Sequence, residues 1–276
     1  MRRVSCWGLL LGLALHAALL ATPCNATITD SDRPIKVLTL NLRCLEDHWK
    51  VRKGLVFSGL IDLDPDFIGF QECCREVLNC TGPECADNFR DIHETMNEAF
   101  NTTYYFYRAD THMSWNIWQD SARKMIIART SFPSSPNGTA TPLIFATTHL
   151  DYKSDQVRSE EALCAVDALE RYQEAHGIPR ALLVGDFNAD VVSPTDQVGP
   201  TMEKAGYTDT FRALYSSPGC TFQSNLPDER IDYQWVKPGL KPVKASLQFT
   251  KHTTFAVYAS DHLGVYAEYQ ITAHPK

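Results

Sequence analysis

The chain has 276 residues, 44% of them hydrophobic, which is enough for one large domain or two small ones with a substantial core. Its formal net charge is −7, and no stretch is rich in lysine and arginine. Proteins that follow a phosphate backbone over many contacts carry a basic stripe. The composition therefore argues against a long nucleic-acid footprint, and any nucleic acid would have to bind locally.

The first segment of the chain predicts a secretory signal peptide over residues 1–21. Two arginines precede an apolar run over residues 4–20, and small residues follow it. A single membrane anchor is the alternative, because the run is nearly long enough to span a bilayer, but no stop-transfer pattern follows. The C-terminus lacks the hydrophobic tail that a GPI anchor needs. We therefore expect cleavage near Ala21 or Ala26 and a secreted, extracellular protein with no stable membrane anchor.

Sequons and cysteines support export. Asn-X-Thr sequons predict possible N-glycans at Asn25, Asn79, Asn101 and Asn137. Loss of the signal peptide would leave an even number of cysteines, which tend to pair in an oxidising compartment. The cysteine cluster over residues 73–85 could also be a zinc site, but it lacks a second CxxC or a histidine pair. Disulfides are therefore favoured, although their connectivity cannot be deduced from sequence.

Apolar periodicity predicts alternating strands and helices after residue 34. Strands are predicted at 35–42, 67–72, 123–129, 143–150, 181–188, 230–236, 245–250 and 263–271, and helices at 49–63, at 89–100 and after residue 150. Asp64-Pro65-Asp66 ends the first helix. Interleaved elements without a repeat or a low-complexity linker predict one α/β domain over residues 34–273, with helices on both faces of the sheet layers.

Polar side chains stand at or near the ends of these otherwise apolar strands. Taken singly they have ordinary explanations, such as a turn residue for Asn41 or a core histidine for His149. A more specific pattern is Gly185-Asp186-Phe187-Asn188, in which Gly185 would allow a tight turn while Asp186 and Asn188 face the same way. Because buried carboxylates are costly unless they pair, hydrogen-bond or hold a metal, we expect the set to converge in one cleft. Its members are Asn41, Glu72, His149, Asp186, Asn188, Asp232, Asp261 and His262.

The order of these motifs resembles the endonuclease/exonuclease/phosphatase superfamily, and the segment from Trp49 to Glu72 most resembles its small metal-dependent hydrolase branch. The resemblance implies a DNase I-like four-layer α/β sandwich, with two packed mixed β-sheets flanked by helices. One departure is the connection from Glu72 to His149, which is shorter than usual and would reduce or omit a strand pair. The motifs are Leu40-Asn41, Gln71-Glu72, Thr148-His149-Leu150, Gly185-Asp186-Phe187-Asn188, Arg230-Ile231-Asp232-Tyr233 and Ser260-Asp261-His262.

The resemblance also implies a phosphoester hydrolase that uses Mg²⁺, with Mn²⁺ possible, and the signal peptide adds that it is secreted. Glu72 is the implied primary metal ligand, with Asn41 and Asp261 completing an oxygen-rich environment that suits a hard cation better than zinc. In this short connection Tyr105, Tyr107 and Asn116 are only candidates for the family's remaining polar positions.

Catalytic roles follow from the same resemblance. Asp186 would orient or deprotonate the attacking water, and Asn188 would hold that water or a phosphate oxygen. Asp232 would hydrogen-bond His262 and fix its tautomer, so that His262 serves as base or as imidazolium. His149 would donate to the phosphate or to the departing oxygen. No covalent intermediate is implied.

Three substrate classes stay open at this stage: nucleic acid, a phospholipid headgroup and a small organophosphate. Arg108, Arg123 and Arg129 could enter a nucleic-acid groove, whereas no apolar hairpin for membrane contact is evident. The principal alternative is a non-catalytic secreted binding or effector protein on the same fold. A weaker one makes the cysteine-rich loop a partner-binding surface.

Overall fold

Two β-sheets pack against each other in the computed structural model, which describes residues 33–43, 48–73, 88–100, 125–133, 140–190 and 195–273. The elements in chain order are β1 (Ile35–Asn41), α1 (Trp49–Leu63), β2 (Phe67–Gln71), α2 (Asn88–Phe100), β3 (Met125–Pro133), β4 (Ala140–His149), α3 (Asp155–His176), β5 (Ala181–Asp186), α4 (Val198–Lys204), β6 (Thr208–Asp209), α5 (Thr210–Leu214), β7 (Asp232–Val236), β8 (Leu240–Gln248) and β9 (Gly264–Ile271).

Both sheets are mixed. One has four strands in the order β2-β1-β9-β8, and the other has five in the order β3-β4-β5-β7-β6. The pairs β1–β2 and β4–β5 are parallel, and the other neighbours are antiparallel. The predicted sandwich of two mixed sheets is therefore confirmed.

Apolar side chains fill the space between the sheets and the spaces between each sheet and its helices. The middle layer packs Ile35, Val37 and Tyr269 of the first sheet against side chains of the second, such as Leu182 and Val184. The first sheet packs its other face on α1 and α2, and the second packs its other face on α3 and α4. Burial on both faces explains why β1 and β5 read as almost continuous apolar runs.

Most predicted boundaries hold, and the largest difference is an edge strand. β8 begins at Leu240, earlier than the prediction from residue 245, and its Lys241 and Pro242 are not apolar. Because β8 pairs only with β9, one of its edges is exposed and tolerates polar residues and proline. An apolar run is therefore a poor guide to where such a strand starts.

The connection between Glu72 and His149 keeps a helix and a strand, α2 and β3, within its described residues. β3 pairs with β4 along its whole length and forms the edge of the five-stranded sheet. Tyr105, Tyr107 and Asn116 lie outside the described residues, as do Arg108 and Arg123.

Several features on which the prediction of export depends also lie outside the described residues: the signal peptide, the four sequons and the cysteines at 74–85. Among the residues that are described, no helix combines the length and apolar character needed to cross a bilayer. Cys220 is half-buried and carries a free thiol. Disulfide pairing in the cysteine-rich loop stays a prediction.

Candidate active site

Strand register lines up three of the predicted residues in one row across the five-stranded sheet. His149 at the end of β4 pairs with Asp186 at the end of β5. Asp186 pairs in turn with Asp232 at the start of β7, which runs antiparallel to β5. Residues that pair directly across neighbouring strands project to the same face, so these three side chains meet at one edge of the sandwich. His149 Nε2 lies 3.5 Å from Asp186 Oδ2.

The four-stranded sheet supplies the facing group. Asn41 is the last residue of β1 and pairs with Gln71, the last residue of β2. Glu72 directly follows Gln71, and the backbone turns there with a φ of 50°. Asn41 Nδ2 donates to Glu72 Oε1 at 3.1 Å and to Asp186 Oδ2 at 3.0 Å. Asn41 is therefore the link between the two sheets at the site, and Glu72 itself is exposed.

The orientation of Asn41 bears on its predicted role as a metal ligand. Its amide nitrogen faces the two carboxylates, while its Oδ1 accepts from the Arg43 backbone N–H at 2.8 Å. In this orientation Asn41 positions Glu72 and Asp186 rather than offering its oxygen to the cleft. Ligation by Asn41 stays a prediction.

His262 reaches the row from the segment that precedes β9. Its Nδ1 lies 2.9 Å from Asp232 Oδ2, and its Nε2 lies 3.8 Å from Asp186 Oδ2. Burial by itself would lower the pKa of His262, but the carboxylates of Asp232, Asp186 and Asp261 outweigh burial and raise that pKa to about 10. A protonated imidazole hydrogen-bonded to Asp232 is therefore the favoured form of His262 at neutral pH.

Asp186 is the hub of the site. The residue is 1% exposed, and it is the last residue of β5, so that other protein groups surround its carboxylate. Burial raises the pKa of this carboxyl, and the nearby Asp232 raises it further, whereas His149, His262 and the hydrogen bond from Asn41 oppose the rise. A carboxylate with a raised pKa is a better proton acceptor than an ordinary exposed aspartate.

The role expected for Gly185 is corrected. Gly185 lies within β5 and not in a turn, and a Cβ added there would stand 2.0 Å from the Thr148 carbonyl oxygen of β4. The glycine is needed because β4 and β5 approach each other closely beside the pair His149–Asp186. The turn follows Asp186, where Asn188 adopts a φ of 49°.

Asn188 closes that turn onto the site. Its backbone N–H donates to Asp186 Oδ1 at 2.9 Å, and its side-chain Nδ2 donates to the Leu150 carbonyl at 3.0 Å. Asn188 thus fixes both Asp186 and the residue that follows His149. The predicted contact of its side chain with water or phosphate stays a prediction.

Asp261 and Arg43 lie at the rim of the site. Arg43 is not among the site residues predicted from the sequence. Arg43 Nε lies 3.6 Å from Asp261 Oδ2, and Asp261 Oδ1 lies 3.9 Å from His262 Nε2. A cavity of about 450 Å³ opens beside this pair and is lined in part by His48, Gln223 and Asn225. The only sequence signal for Arg43 is its position two residues after Asn41.

All eight residues predicted for the site therefore meet at one edge of the sandwich, through a continuous set of contacts. The match to known proteins agrees with this geometry. The sequence model of the Endonuclease/Exonuclease/phosphatase family matches residues 38–262, which include every one of the eight. The chain belongs to this family. The resemblance inferred from the motifs is thereby confirmed.

Solved structures show the same fold. A humanized TDP2 from D. rerio is 16% identical with a TM-score of 0.60, covering 87% of this chain and 99% of that one. A family member from Bacteroides thetaiotaomicron is 18% identical with a TM-score of 0.59, covering 89% and 98%. A mannosyl-6-phosphatase from Bacteroides thetaiotaomicron is 18% identical with a TM-score of 0.58, covering 85% and 99%. A comparison with curated proteins gave no match.

Family membership makes this chain a hydrolase of phosphoester bonds, in a family whose enzymes depend on divalent metals. The residues present fit such an ion, because the cleft offers hard oxygen donors: Glu72 adjoins Asp186 through Asn41, and Asp261 adjoins His262. One group within it, Asp186, Asp232 and His262, places a ligand-capable atom of each residue within 4.8 Å of the others. Within this group Nδ1 of His262 is hydrogen-bonded to Asp232, and the surrounding carboxylates raise the pKa of the His262 imidazole.

Proposed function

We propose that the protein is a secreted, Mg²⁺-dependent phosphoester hydrolase in which water attacks phosphorus directly. The observation that carries the proposal is the continuous set of contacts from Glu72 through Asn41 to Asp186, and from Asp186 to His262 and Asp232. Its links are hydrogen bonds except for the approach of His262 Nε2 to Asp186 Oδ2, which is 3.8 Å. This set joins an exposed carboxylate to a buried acid–base network. That is the combination that hydrolysis of a phosphoester requires.

Glu72 and Asp261 are the residues proposed to bind Mg²⁺, and Asn41 is hydrogen-bonded to Glu72. The bound ion would neutralise charge on the phosphate oxygens and make a water more acidic. An oxygen-rich set with few carboxylates suits Mg²⁺, which keeps several of its waters, and Mn²⁺ could replace it.

Asp186 is the proposed acceptor for the proton of the attacking water. Burial raises the pKa of its carboxyl, and His149 and His262 on either side keep the carboxylate form accessible. His262 then acts as an imidazolium that donates from Nε2 to a phosphate oxygen, with Asp232 holding its Nδ1. Of the two roles that the sequence left open for His262, the raised pKa supports this one over that of base.

His149 and Asn188 complete the proposed arrangement. His149 is partly exposed, and it lies beside Asp186, where it can donate to the phosphate or to the departing oxygen. Asn188 holds the Asp186 carboxylate through its backbone N–H and so orients the proton acceptor.

The substrate is proposed to be a phosphoester presented locally, such as a nucleic-acid end or a small organophosphate. The similar structures include D. rerio TDP2 complexed with a single-strand DNA product and a mannosyl-6-phosphatase, so this fold serves both kinds of substrate. The acidic balance of the chain argues against a long duplex footprint. A panel of DNA, RNA, sphingomyelin, inositol phosphates and sugar phosphates, each with Mg²⁺ and with EDTA, would rank these classes.

The direct test is release of p-nitrophenol from bis-p-nitrophenyl phosphate. We expect turnover with Mg²⁺, none with EDTA, and a loss of about 10³-fold in kcat for His262→Ala. His176→Ala is the matched control, because His176 is exposed at the end of α3. Full turnover in EDTA, or a His262→Ala enzyme as active as His176→Ala, would refute the proposed mechanism. A folded protein inert on the whole panel would favour the binding or effector alternative.

Secretion and glycosylation are proposed from the sequence alone. The full chain expressed in eukaryotic cells should appear in the medium with its N-terminus near residue 22 or 27, and treatment with an N-glycosidase should lower its mass. Retention of an intact N-terminus in the membrane fraction would instead support the single-anchor alternative.

A further inference from the structure

A buried arginine of α1, Arg52, joins two chain segments that carry site residues. It is 3% exposed, and its Nη1 donates to the Leu42 carbonyl at 3.0 Å and to the Ala259 carbonyl at 2.8 Å. Its Nη2 donates to the Arg43 carbonyl at 3.1 Å. One planar cation thus contacts the end of β1 and the segment before β9, which are far apart in sequence.

Arg52 lies where the β1–β9 pairing has ended. The antiparallel register runs from Ile35↔Tyr269 to Thr39↔Val265, yet β1 itself continues to Asn41 and stays paired with β2. Beyond Thr39 this pairing ends, and the two segments form a fork with residues 40–43 on one side and 259–263 on the other. The fork leaves carbonyl groups without ladder donors, and buried carbonyls need donors. Arg52 supplies them on both sides.

The carbonyls that Arg52 holds belong to residues directly beside the site. Leu42 and Arg43 follow Asn41, and the Arg43 N–H donates to Asn41 Oδ1. Ala259 precedes Ser260, Asp261 and His262 on the other side of the fork. The separation of the fork therefore sets the distance between the Asn41–Glu72 side of the site and the Asp261–His262 side.

We infer that Arg52 is a positioning residue that fixes these two sides relative to each other. The inference rests on the proposed function, because it assigns a role in that same site. The Arg52 guanidinium is buried and donates to backbone carbonyls, so it would act on the site through the backbone of its neighbours. A guanidinium suits the task since its donors are held in a rigid plane, whereas a lysine has a single flexible ammonium group.

The chain offers a matched control at the other end of the same strand. Arg180 donates from Nε to the Gly239 carbonyl at 3.2 Å and from Nη2 to the Thr272 carbonyl, just after β9, at 3.0 Å. It too joins separate segments through backbone carbonyls, but it lies away from the site. Substitutions at Arg52 and Arg180 therefore remove similar contacts at opposite ends of β9.

The experiment compares Arg52→Met and Arg52→Lys with Arg180→Met and Arg180→Lys, measuring kcat, KM and Tm. We expect Arg52→Met to lose about 10²-fold in kcat, the effect of misplacing groups by roughly 1 Å, with a much smaller change in KM. Arg52→Lys should recover part of that loss. The Arg180 variants should keep kcat and lose less Tm, because Arg180 is half-buried and makes fewer of these hydrogen bonds. Equal kcat in the folded Arg52 and Arg180 variants would overturn the inference.

A second measurement does not depend on turnover or on Arg52→Met being folded. In protein labelled with ¹⁵N-histidine, the imidazole signals of His262 should shift in Arg52→Lys and stay in place in Arg180→Lys. Unchanged His262 signals in Arg52→Lys would overturn the inference even if the enzyme were inert on every substrate tried. Inertness of the unaltered protein would count against the proposed function alone.

Discussion

The two halves of the candidate site differ in how the protein holds them. In the inner half, Asp186 is 1% exposed, Asp232 2% and His262 5%, and each is bound to other protein groups. In the outer half, the Asp261 side chain is 29% exposed and Glu72 is exposed at the mouth of the cleft. Asn41 hydrogen-bonds to a carboxylate of each half.

The difference indicates that the two halves of the site have different tasks. Buried charges are costly and persist only where partners compensate them, so the inner half is arranged by folding itself. Exposed carboxylates remain hydrated at little cost and can exchange their waters for an ion. In the proposed mechanism, acid–base geometry is thus preset by the protein, while Mg²⁺ binds at the rim.

Replacement of Asp186 by asparagine should separate catalysis from stability most clearly. Asp186→Asn keeps the shape and an acceptor for Asn41, but it removes the proton acceptor, so we expect kcat to fall by about 10³-fold. Tm should fall only slightly. An amide at this position can accept from Asn41 or from Asn188 but not from both, whereas removal of the charge is favourable because burial and Asp232 raise the pKa of the Asp186 carboxyl in the folded protein. Turnover with bis-p-nitrophenyl phosphate and thermal unfolding check the two parts.

A buried aspartate away from the site gives the opposite signature. Asp196 accepts from the Val198 N–H at 2.8 Å and lies 3.5 Å from Arg158 Nε. Asp196→Asn weakens a buried ion pair, so Tm should fall while kcat is kept. If Asp186→Asn lowered Tm as much as Asp196→Asn does, the inner half would be structural rather than catalytic.

The sequence predicted an α/β domain and the members of the site from local pattern, whereas the sandwich of two mixed sheets was implied by the family resemblance. A strand buried on both faces is an apolar run, so a polar residue at its end, such as Asn41 or His149, is conspicuous. The parallel pairs β1–β2 and β4–β5 then bring such ends to the same edge of the sandwich. Convergence was therefore predictable before any coordinates.

Contacts between distant segments were not predictable. Arg52 lies in the helix predicted over residues 49–63, and only the register of β1 with β9 reveals the fork that it fills. Gly185 looked like a turn residue, whereas the Thr148 carbonyl of the neighbouring strand explains it. The direction of the Asn41 amide likewise depends on Arg43, Glu72 and Asp186 together. Each of these depends on atoms that meet only in the folded chain.

Substitution in the outer half should raise the Mg²⁺ requirement and should reduce activity less than substitution in the inner half. Glu72→Gln keeps the hydrogen-bond acceptor for Asn41 but removes the charge proposed to hold Mg²⁺. We expect the Mg²⁺ concentration for half-maximal activity to rise by at least about tenfold. Activity should return at high Mg²⁺, and Tm should stay the same because the side chain is exposed. Titrating turnover against Mg²⁺ measures this directly.

The control for Glu72→Gln is Glu174→Gln, at an exposed position of α3 that lines a different surface cavity from the one beside Asp261. Removing either charge changes the net charge equally, so a general electrostatic effect on Mg²⁺ would appear in both variants. If only kcat fell in Glu72→Gln, with the Mg²⁺ requirement unchanged, Glu72 would belong with the acid–base groups of the inner half. The contrast between a preset inner half and an ion-binding rim would then fail, because the rim would be performing the same chemistry.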